Sequence, residues 1–568
     1  MYRNSDLLFV PLGGSGEIGM NANLYHYDGS WLMVDLGISF PDDSMPGIDV
    51  ILPDLSFIEA RADSLAGLVL THGHEDHLGA IPYMWSRLRC PIYGSAFTLA
   101  LLRRKLAENG NKHDIPLIEM SPGAVLDIGS FSVEMVGLAH SIPDPVALAI
   151  RCPAGTVLHT GDWKFDKAPG LGTDTDSTRL AEIGDEGVLA MVGDSTNAMV
   201  EGRTESESKA EAGLKAAIAA AEGRVAVTCF SSNVARIQSI IKAAQANDRS
   251  VAIVGRAIKR AMSAAQEVGY LRDLPDFVAE EDIELLPREN IVIICTGTQG
   301  EPRAAMAKIA AGTHESVTLD PGDTVIYSSR QIPGNEPAIA RVQDALIRRK
   351  INLITDEDAP VHVSGHPSRD EMIEMYGLVR PQIAIPVHGT ARHLMAHAAL
   401  AEGCHVGQTL IPDNGTVIKL ADGSGQNAAE ASIIDNVKTG ALTHEKGQII
   451  EVQSDMMRAR RRMLWNGAVT ASVVLNRDGA LCAVPTVSQT GIGDAEAATD
   501  YIASASIAIE DALAGMGRSD RREDRAVEEI TGQALRRVAR SMFGLRPVVH
   551  VHIPVSYTHL TLPTIYSV

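Results

Sequence analysis

Four residues with metal-binding side chains lie within six positions of one another, directly after an apolar run. The run Leu65–Leu70 leads into THGHEDH, which contains His72, His74, Asp76 and His77. Neutral imidazole and carboxylate are ligands of Zn²⁺, which takes three or four of them. A loop at the end of a strand lets the first two ligands meet one ion while the other two turn towards a second. The order H-x-H-x-D-H therefore indicates a metal centre rather than a polar loop that happens to be rich in histidine.

Two metal ions need more ligands than this loop supplies, and three further candidates each follow an apolar run. They are His140 after FSVEMVGLA, Asp162 after TVLHTG and His388 after QIAIPV. A single histidine or aspartate in such a place is more often structural. These three residues are candidates because they recur beside the stronger motif.

The pattern of predicted strands and helices that must position these residues changes along the chain. Short β-type runs separated by turns come first, and strand–helix alternation, which predicts a parallel α/β sheet, begins near residue 206. The pattern of short β-type runs separated by turns resumes near residue 361. We therefore predict one domain in two parts, 1–205 and 361–445, with an insertion at 206–360. A linker at 446–464 and a C-terminal α+β domain at 465–555 are predicted to follow, and the tail at 556–568 has no assigned function.

Composition restricts the class of protein. The 568 residues are 45% hydrophobic and 21% charged, as expected for a globular protein of several domains. No apolar run approaches the ~20 residues that cross a bilayer, and the N-terminus lacks the layout of a secretory signal, so we expect a cytoplasmic protein without a membrane partner. The net charge of −21 opposes nucleic-acid binding through overall charge. Nucleic acid would have to be held locally, by a basic groove or bound metal.

A glycine-rich segment offers a competing interpretation. Residues Gly14–Gly19 have the pattern G-x-G-x-x-G after a strand, which binds dinucleotides when a helix begins there. The residues that follow are NANLYHYDGSWLMVD, which predict a β-hairpin with an Asp-Gly turn. We therefore predict no nucleotide cofactor at this segment.

The metal-ligand motifs resemble those of the metallo-β-lactamase superfamily. The resemblance rests on THGHEDHLGAIP, AHSIPD, TGDWKFD and PVHGT. It implies a zinc pair and an aspartate, Asp35, that holds the metal loop from behind, as carboxylates near metal ligands do. The matching ligands are His72, His74 and His140 for one zinc, Asp76, His77 and His388 for the other, and Asp162 for both.

Further segments resemble the β-CASP branch, whose members act on nucleic acids, and within it the ribonuclease J family. GDSTNA, SGHPS and PVHG resemble the signatures of the branch, and FVPLGGSGEIGMN, FSSNVARIQ and IPGNE are similar to the family, in order over residues 6–555. The implied fold is a metallo-β-lactamase αββα sandwich with an inserted α/β β-CASP domain and a small α+β C-terminal domain. One departure is Ala235, where a histidine is expected, so substrate contacts near it can differ.

The resemblance implies a ribonuclease with two Zn²⁺ per subunit, although Mn²⁺ or another divalent metal would suit the same ligands. It implies 5′→3′ exonuclease action on single-stranded RNA with a 5′-monophosphate, alongside internal cleavage, in mRNA decay and rRNA maturation. A homodimer or homotetramer and partners in RNA decay are also implied. Two metals can activate water for attack on phosphorus and neutralise the charge that develops there.

Two further residues are candidates for the reaction itself. His366 is the candidate for protonating the leaving 3′-oxygen or stabilising the transition state, and Asp194 for holding the nucleophile or the histidine motif in register. His362, Ser364 and His366 alternate, which would place them on one face of a strand. We interpret His362 as structural.

The resemblance also implies a pocket for a 5′-monophosphate, one nucleotide from the metals. Hydroxyl, amide and backbone N–H groups are suitable donors to a dianion. Phe40 is a candidate for stacking on a base, with a place in the core as the alternative. The candidate pocket residues are Ser232, Asn233, Gly334, Asn335 and Ser364.

Three other functions stay open. A hydrolase of small esters or lactones would share the metal chemistry, but it needs neither the insertion nor the SGH motif. A DNA nuclease or RNA 3′-processing factor of the β-CASP branch fits less well with IPGNE and FSSN. An RNA-binding scaffold without catalysis fits poorly with an intact ligand set. The basic run Arg458–Arg462 is either a solvated face or a contact surface.

Overall fold

The structure is a computed structural model that describes residues 3–42, 44–110, 113–332, 334–422 and 431–554. Apart from these gaps, the chain divides into two compact units, one of residues 3–40 and 50–444 and one of residues 41–49 and 445–554. The predicted tail, 556–568, lies outside the described residues. Among the described residues, no helix combines the length and the apolar character needed to cross a membrane.

The larger unit begins with a β-rich part. Its described strands and helices are β1 (Leu7–Gly13), β2 (Ser15–Gly16), β3 (Ala22–Tyr27), β4 (Ser30–Val34), β5 (Ile51–Pro53), α1 (Ser56–Glu59), β6 (Leu65–Val69), α2 (Glu75–Leu78), α3 (Ile81–Leu88), β7 (Ile92–Gly94), α4 (Ala96–Glu108), β8 (Leu117–Glu119), β9 (Val125–Ile128), β10 (Phe131–Gly137), β11 (Val146–Cys152), β12 (Gly155–His159), α5 (Ser177–Glu186) and β13 (Ala190–Asp194).

The insertion and the return of the chain follow. The insertion contains α6 (Glu207–Ala220), β14 (Val225–Cys229), α7 (Val234–Gln245), β15 (Ser250–Val254), α8 (Arg256–Glu267), β16 (Ile291–Cys295), α9 (Ala305–Ala311), β17 (Thr324–Ser328), α10 (Glu336–Arg348) and β18 (Asn352–Ile354). The return contains α11 (Arg369–Val379), β19 (Ile383–Val387), β20 (Gly389–Thr390), α12 (Ala391–Gly403), β21 (Gln408–Thr409), β22 (Thr416–Ala421), β23 (Ser432–Asn436) and β24 (Ala441–Glu445).

Two mixed sheets pack face to face in the larger unit. Their strand orders are β23-β22-β1-β3-β4-β6-β7-β8 and β21-β19-β13-β12-β11-β10-β9. Phe9 and Tyr25 of the first sheet and Val133 and Leu148 of the second belong to one buried cluster, and burying each such side chain contributes roughly 1.5–3 kcal/mol. Helix α4 lies against β7 and β8, and α5, α11 and α12 contribute to a second cluster with the other sheet. The predicted αββα sandwich is therefore confirmed.

The hairpin predicted after the glycine-rich segment is also present. Strands β3 and β4 pair antiparallel from Asn23–Val34 to Tyr27–Ser30. Asp28 and Gly29 between them have φ of 47° and 73°, as the tight hairpin turn requires. No helix begins at the glycines, so the geometry of a dinucleotide site is absent there.

The insertion forms the predicted parallel sheet. Five strands lie in the order β15-β16-β14-β17-β18, and every neighbouring pair is parallel. Runs such as Val225–Cys229 are buried throughout, because helices cover both faces of such a sheet. Alternate residues of the strands therefore belong to two separate clusters, one on each face.

The smaller unit contains more regular structure than the sequence predicted. The predicted linker, 446–464, includes a strand and most of a helix. The two predicted helices, 495–515 and 521–543, are present with slightly shifted ends. Both pack on the sheet β27-β26-β28 through one apolar cluster. The elements are β25 (Gln448–Glu451), α13 (Asp455–Asn466), β26 (Ala468–Ser472), β27 (Thr486–Thr490), α14 (Ala495–Ala514), α15 (Asp524–Phe543) and β28 (Val548–His552).

The basic run lies on α13 and is largely engaged within the smaller unit. Arg458 pairs with Asp455, and Arg460 pairs with Glu445 at 2.7 Å. Arg461 donates to the carbonyl oxygen of Val452 over 2.9 Å. These contacts favour the interpretation of the run as part of the unit's own surface.

A buried ion pair joins the first two helices of the insertion. Arg236 Nε and Nη2 donate to the two carboxylate oxygens of Glu207 over 2.5 and 2.9 Å. Arg236 Nη1 also donates to Ser328 Oγ over 2.7 Å, and the Arg236 side chain is fully buried.

Replacing Arg236 with methionine is therefore expected to lower the free energy of unfolding by about 3–5 kcal/mol, because Glu207 would keep a buried charge without a partner. Urea denaturation followed by circular dichroism measures the effect. Arg348→Met, which removes an exposed pair with Asp344, is the control and should change the free energy by less than about 1 kcal/mol. Equal denaturation midpoints for the two variants would contradict the prediction.

Candidate metal centre

Three histidine rings converge on one point after β6 and β10. His72 Nε2 and His140 Nε2 lie 3.0 and 3.1 Å from His74 Nδ1. Asp162 Oδ2 lies 3.7 Å from His72 Nε2 and 3.8 Å from His140 Nε2. Ligand atoms about 2.0–2.1 Å from a tetrahedral zinc are roughly 3.3 Å apart. The first cluster therefore has the size of a single cation site.

A second cluster of the same size lies beside the first. His77 Nε2 is 3.3 Å from Asp162 Oδ2 and 3.6 Å from Asp76 Oδ2. His388 Nε2 is 3.5 and 3.7 Å from the same two oxygens. Within each cluster all ligand atoms lie within 4.8 Å of one another. The donor set of imidazole and carboxylate suits a divalent metal.

Asp162 belongs to both clusters and is almost completely buried. Burial by itself raises the pKa of its carboxyl, but the neighbouring His388 and His77 hold that pKa well below its usual range. The carboxylate therefore carries a charge at neutral pH. A shared carboxylate between two ligand sets can contact a cation in either of them.

The topology explains why residues so far apart in sequence meet here. Asp162 follows β12, Asp194 ends β13 and His388 follows β19. These three strands are parallel neighbours. Their carboxyl ends therefore lie at one edge of the sheet, where ligand sites of α/β folds form.

Hydrogen bonds behind the ligands fix which ring nitrogen faces the clusters. Asp35 accepts from Thr71 N and from His77 Nδ1, both over 2.8 Å. His140 Nδ1 donates to the carbonyl oxygen of Gly365 over 2.5 Å. Both rings therefore turn Nε2 towards Asp162. Hydrogen-bond partners behind metal-binding histidines orient the rings in this way.

Charge and burial divide the histidines into two groups. Burial lowers the pKa of His74 to about 4, and burial also lowers the pKa values of His72 and His140. These rings are neutral, which is the form that binds a cation. Burial lowers the pKa of His77 as well, but Asp162 and Asp76 raise it well above its ordinary value.

His366 and Asp194 form a pair at the edge of the clusters. His366 Nδ1 lies 2.8 Å from Asp194 Oδ2, and Asp194 Oδ1 accepts from Thr196 N over 2.9 Å. Burial lowers the pKa of His366, but Asp194 and Asp162 raise it to about 9. The ring can therefore carry a proton at neutral pH. The ligand atoms of both residues also lie within 4.8 Å of those of Asp162 and His388, so the distances alone allow either residue to bind a cation.

The segment that carries His366 is not a strand. Residues 361–366 form no sheet, contrary to the expected strand. Burial nevertheless alternates, with His362, Ser364 and His366 partly exposed and the residues between them buried. His362 Nδ1 lies 3.2 Å from Arg236 Nη1, which agrees with a structural role.

The candidate pocket residues fall in two places. Ser232 and Asn233 follow β14, and Asn233 Oδ1 accepts from Arg236 N over 2.9 Å at the start of α7. Gly334 N already donates to Glu336 Oε2 over 2.7 Å. Asn335 Nδ2 donates to Gln299 Oε1 over 3.2 Å. The structure thus places these residues around the carboxyl ends of the parallel strands of the insertion.

Ser364 and Phe40 are placed differently. Ser364 Oγ accepts from Asn197 Nδ2 over 2.9 Å and from His366 N over 3.2 Å, so it lies beside the metal clusters. Phe40 is 66% exposed, which excludes the alternative of a core aromatic.

Asn197 is a residue of the site that sequence analysis did not select. Its Nδ2 also donates to the carbonyl oxygen of His366 over 3.1 Å, so Asn197 joins the GDSTNA motif to the SGH motif. The available signal was a polar side chain inside a motif already recognised, three residues after Asp194. Sequence alone does not say which partner such a side chain has.

Comparison with protein-family models gives four matches along the chain. Residues 16–230 match the metallo-beta-lactamase superfamily, and residues 359–409 match the Zn-dependent metallo-hydrolase RNA specificity domain. Residues 222–346 match "Ribonuclease J, beta-CASP domain", and residues 455–554 match "Ribonuclease J C-terminal domain".

Whole proteins and solved structures are also similar. The ribonuclease J of Sinorhizobium meliloti is 42% identical over 97% of this chain and 98% of its own length. The ribonuclease J of Mycolicibacterium smegmatis is 42% identical over 83% of this chain and 84% of its own. A protein of unknown function from Enterococcus faecalis superposes with a TM-score of 0.53 at 17% identity, over 73% of this chain and 99% of its own. That likeness shows a shared fold only.

Proposed function

The chain belongs to the ribonuclease J family, and we propose that its metal-dependent hydrolysis of RNA uses two Zn²⁺ and proceeds 5′→3′ from a 5′-monophosphate. Its sandwich is the metallo-β-lactamase fold and its insertion is the β-CASP domain. The observation that carries the proposal is the pair of ligand clusters that share Asp162. Internal cleavage would use the same centre.

The residues around the clusters have distinct proposed roles. Two divalent ions held there would activate water and neutralise charge on the phosphoryl oxygens. His366 would donate a proton to the leaving 3′-oxygen, and Asp194 at 2.8 Å would hold that ring in place. Asp35 would keep His77 oriented towards its cation through the 2.8 Å contact at Nδ1.

The strand order of the insertion supports a proposed place for the 5′-phosphate. After β14 the chain adds β15 and β16 on one side and then β17 on the other. Ligands bind at such a switch point, outside the carboxyl ends of the strands. Ser232 and Asn233 lie there directly before α7, and the backbone N–H groups of a helix's first turn favour an anion. Asn335 would complete the pocket after β17.

Local positive charge would offset the net charge of −21 at this place. Arg330, an exposed residue after β17, has Nη1 3.5 Å from Asn197 Oδ1. A guanidinium between the proposed pocket and the metal clusters suits a phosphodiester backbone. The exposed ring of Phe40 would stack on a base of single-stranded RNA.

Assembly and location belong to the same proposal. We propose that the protein works as a homodimer or homotetramer in the cytoplasm, in mRNA decay and rRNA maturation, together with RNA-decay partners. Light scattering of the purified protein measures the assembly.

The test is a time course on one 3′-labelled RNA that carries either a 5′-monophosphate or a 5′-triphosphate, with added Zn²⁺ or Mn²⁺. Progressive shortening of the monophosphorylated RNA from its 5′ end, with mononucleotide release, supports the proposal. Single-stranded DNA of the same sequence serves as the control substrate. If the RNA is cut only internally and equally for both 5′ ends, the exonuclease proposal fails.

The pocket itself is tested by Ser232→Ala. Loss of one hydrogen bond to a charged phosphate costs about 1.5–3 kcal/mol. We therefore expect KM for monophosphorylated RNA to rise roughly 10- to 150-fold, with no change for triphosphorylated RNA. Ser208→Ala, at an exposed serine near the start of α6, is the matched control. An unchanged preference for the monophosphate in the Ser232 variant would remove this residue from the pocket.

A further inference from the structure

The glycine-rich segment, which strand β3 follows, leads directly to a buried residue at the metal clusters. Asn21 is 2% exposed. Its Nδ2 lies 3.1 Å from His77 Nε2, and both its amide atoms lie close to His388 Nδ1, at 2.8 and 3.0 Å. One carboxamide thus contacts both histidines of the second cluster, which are far apart in sequence.

The chemistry of the neighbours decides which amide atom faces His388. Asn21 Nδ2 lies 3.2 Å from the carbonyl oxygen of Asp76, which can only accept a hydrogen bond. Nδ2 has a second proton to donate, but a cation at His388 Nε2 requires the ring proton on Nδ1, and Oδ1 at 3.0 Å is the amide atom that can accept it. The lone pair of Nε2 is then available to the cation, and Nε2 lies 3.7 and 3.5 Å from carboxylate oxygens of Asp76 and Asp162.

The backbone of Asn21 is fixed on both sides. Asn21 N donates to the carbonyl oxygen of Asp76, and Gly37 N donates to that of Asn21, each over 2.9 Å. The side chain therefore projects from a rigid base between the metal loop and Gly37. A cation at His77 Nε2 would replace the contact of Nδ2 with that ring and leave the contacts with Asp76 and His388 in place.

The glycines explain how the backbone of this segment can lie so close to Asn21 and His388. A Cβ at Gly14, which has φ of 85°, would lie 2.3 Å from Asn21 Oδ1, and a Cβ at Gly13 would lie 2.0 Å from the carbonyl oxygen of Met20. The carbonyl oxygen of Gly14 accepts from His388 N over 2.6 Å. Only glycine permits such approach of backbone to side chain. The segment therefore supports Asn21 and His388 together.

We propose that Asn21 is a positioning residue for the second metal position, and that its carboxamide holds His388 in the tautomer and orientation that bind the cation. This rests on the proposed two-metal function. Losing an outer partner of a metal ligand typically weakens metal affinity 10- to 100-fold. The effect should fall on the cluster of Asp76, His77 and His388 and spare that of His72, His74 and His140.

The experiment is a Co²⁺ and Zn²⁺ titration of the full chain, stripped of metal by a chelator, with stoichiometry from calorimetry and the Co²⁺ visible spectrum as a second readout. Asn21→Ala should bind one ion with wild-type affinity and a second about 10- to 100-fold more weakly. Asn21→Asp keeps an acceptor for His388 Nδ1–H and should recover part of the second affinity. Asp76→Asn, which removes a ligand of the same cluster, should resemble Asn21→Ala in its spectrum.

Asn23→Ala is the matched control, because Asn23 is equally buried two residues further on and its Oδ1 has no hydrogen-bond partner in the described part of the chain. It should bind two ions as wild type does. If wild type itself binds fewer than two ions, the two-metal function fails. If wild type binds two and Asn21→Ala binds them with unchanged affinity and spectrum, only the role of Asn21 is overturned. Asn21→Leu, which keeps the size of the side chain and removes the acceptor, gives the same test should Asn21→Ala fail to fold.

Discussion

His74→Ala is expected to lower the rate of RNA hydrolysis by more than about a thousandfold, because bound metal would supply both the activated water and the charge stabilisation. His74 Nδ1 is the atom from which His72 Nε2 and His140 Nε2 lie 3.0 and 3.1 Å away. Removing its ring leaves two histidines and Asp162 for that position. The rate of shortening of 3′-labelled, monophosphorylated RNA measures the effect.

The control for this variant is His550→Ala, at an exposed histidine on β28 in the smaller unit. Its rate should match wild type. Metal content by mass spectrometry and the melting temperature of both variants separate loss of metal from loss of fold. A folded His74→Ala protein that retains full metal and full activity would show that the first cluster is not the catalytic centre.

His366→Ala is expected to lower kcat by about 10²- to 10⁴-fold, the usual contribution of a general acid, while the metal content stays that of wild type. The expectation rests on the ring's position beside Asp162, at 3.9 Å, and on its contact with Asp194. Single-turnover cleavage of RNA at saturating enzyme measures the chemical step. If the variant instead loses metal and activity to the same extent, His366 is a metal ligand.

A sulfur-substituted substrate separates the two roles proposed for His366. RNA with sulfur in place of the scissile 3′-bridging oxygen has a leaving group that needs no proton. If His366 protonates the leaving oxygen, the variant should cleave this substrate nearly as fast as wild type does. If the ring stabilises charge on phosphorus instead, the defect should persist. Asp194→Asn should show a smaller defect with the same pattern, because it weakens the hold on the ring without removing it.

The convergence of the candidate ligands was predictable in part because their sequence signals are local. A strand followed by H-x-H-x-D-H specifies residue types and their order, and both are properties of the sequence. His140, Asp162 and His388 were found for the same reason, since each follows an apolar run. The parallel sheet of the insertion was predictable as well, because continuous apolar strands that alternate with helices allow few other arrangements.

Other features were not predictable, because they depend on distances between residues far apart in the chain. Asn21 meets His388 only where the glycine segment and the end of β19 come together, and nothing in the pattern of the glycines gives that partner. The expected strand at 361–366 has the right alternation of burial but pairs with no strand in the part of the chain that the structure describes. The helix α13 replaces part of a predicted linker, since a basic run can be a helix face as easily as a loop.

The sequence by itself determined which side chains are candidates for the chemistry, the family of the chain and most of its elements, because residue type and periodicity are local and carry directly into strands and loops. Only the tertiary structure decided how those side chains are grouped. Asp162 is shared by two clusters, Asp35 lies behind His77 and Phe40 lies on the surface. These facts follow from how the strand ends meet and how the sheets pack, and packing is a property of the whole chain rather than of any segment.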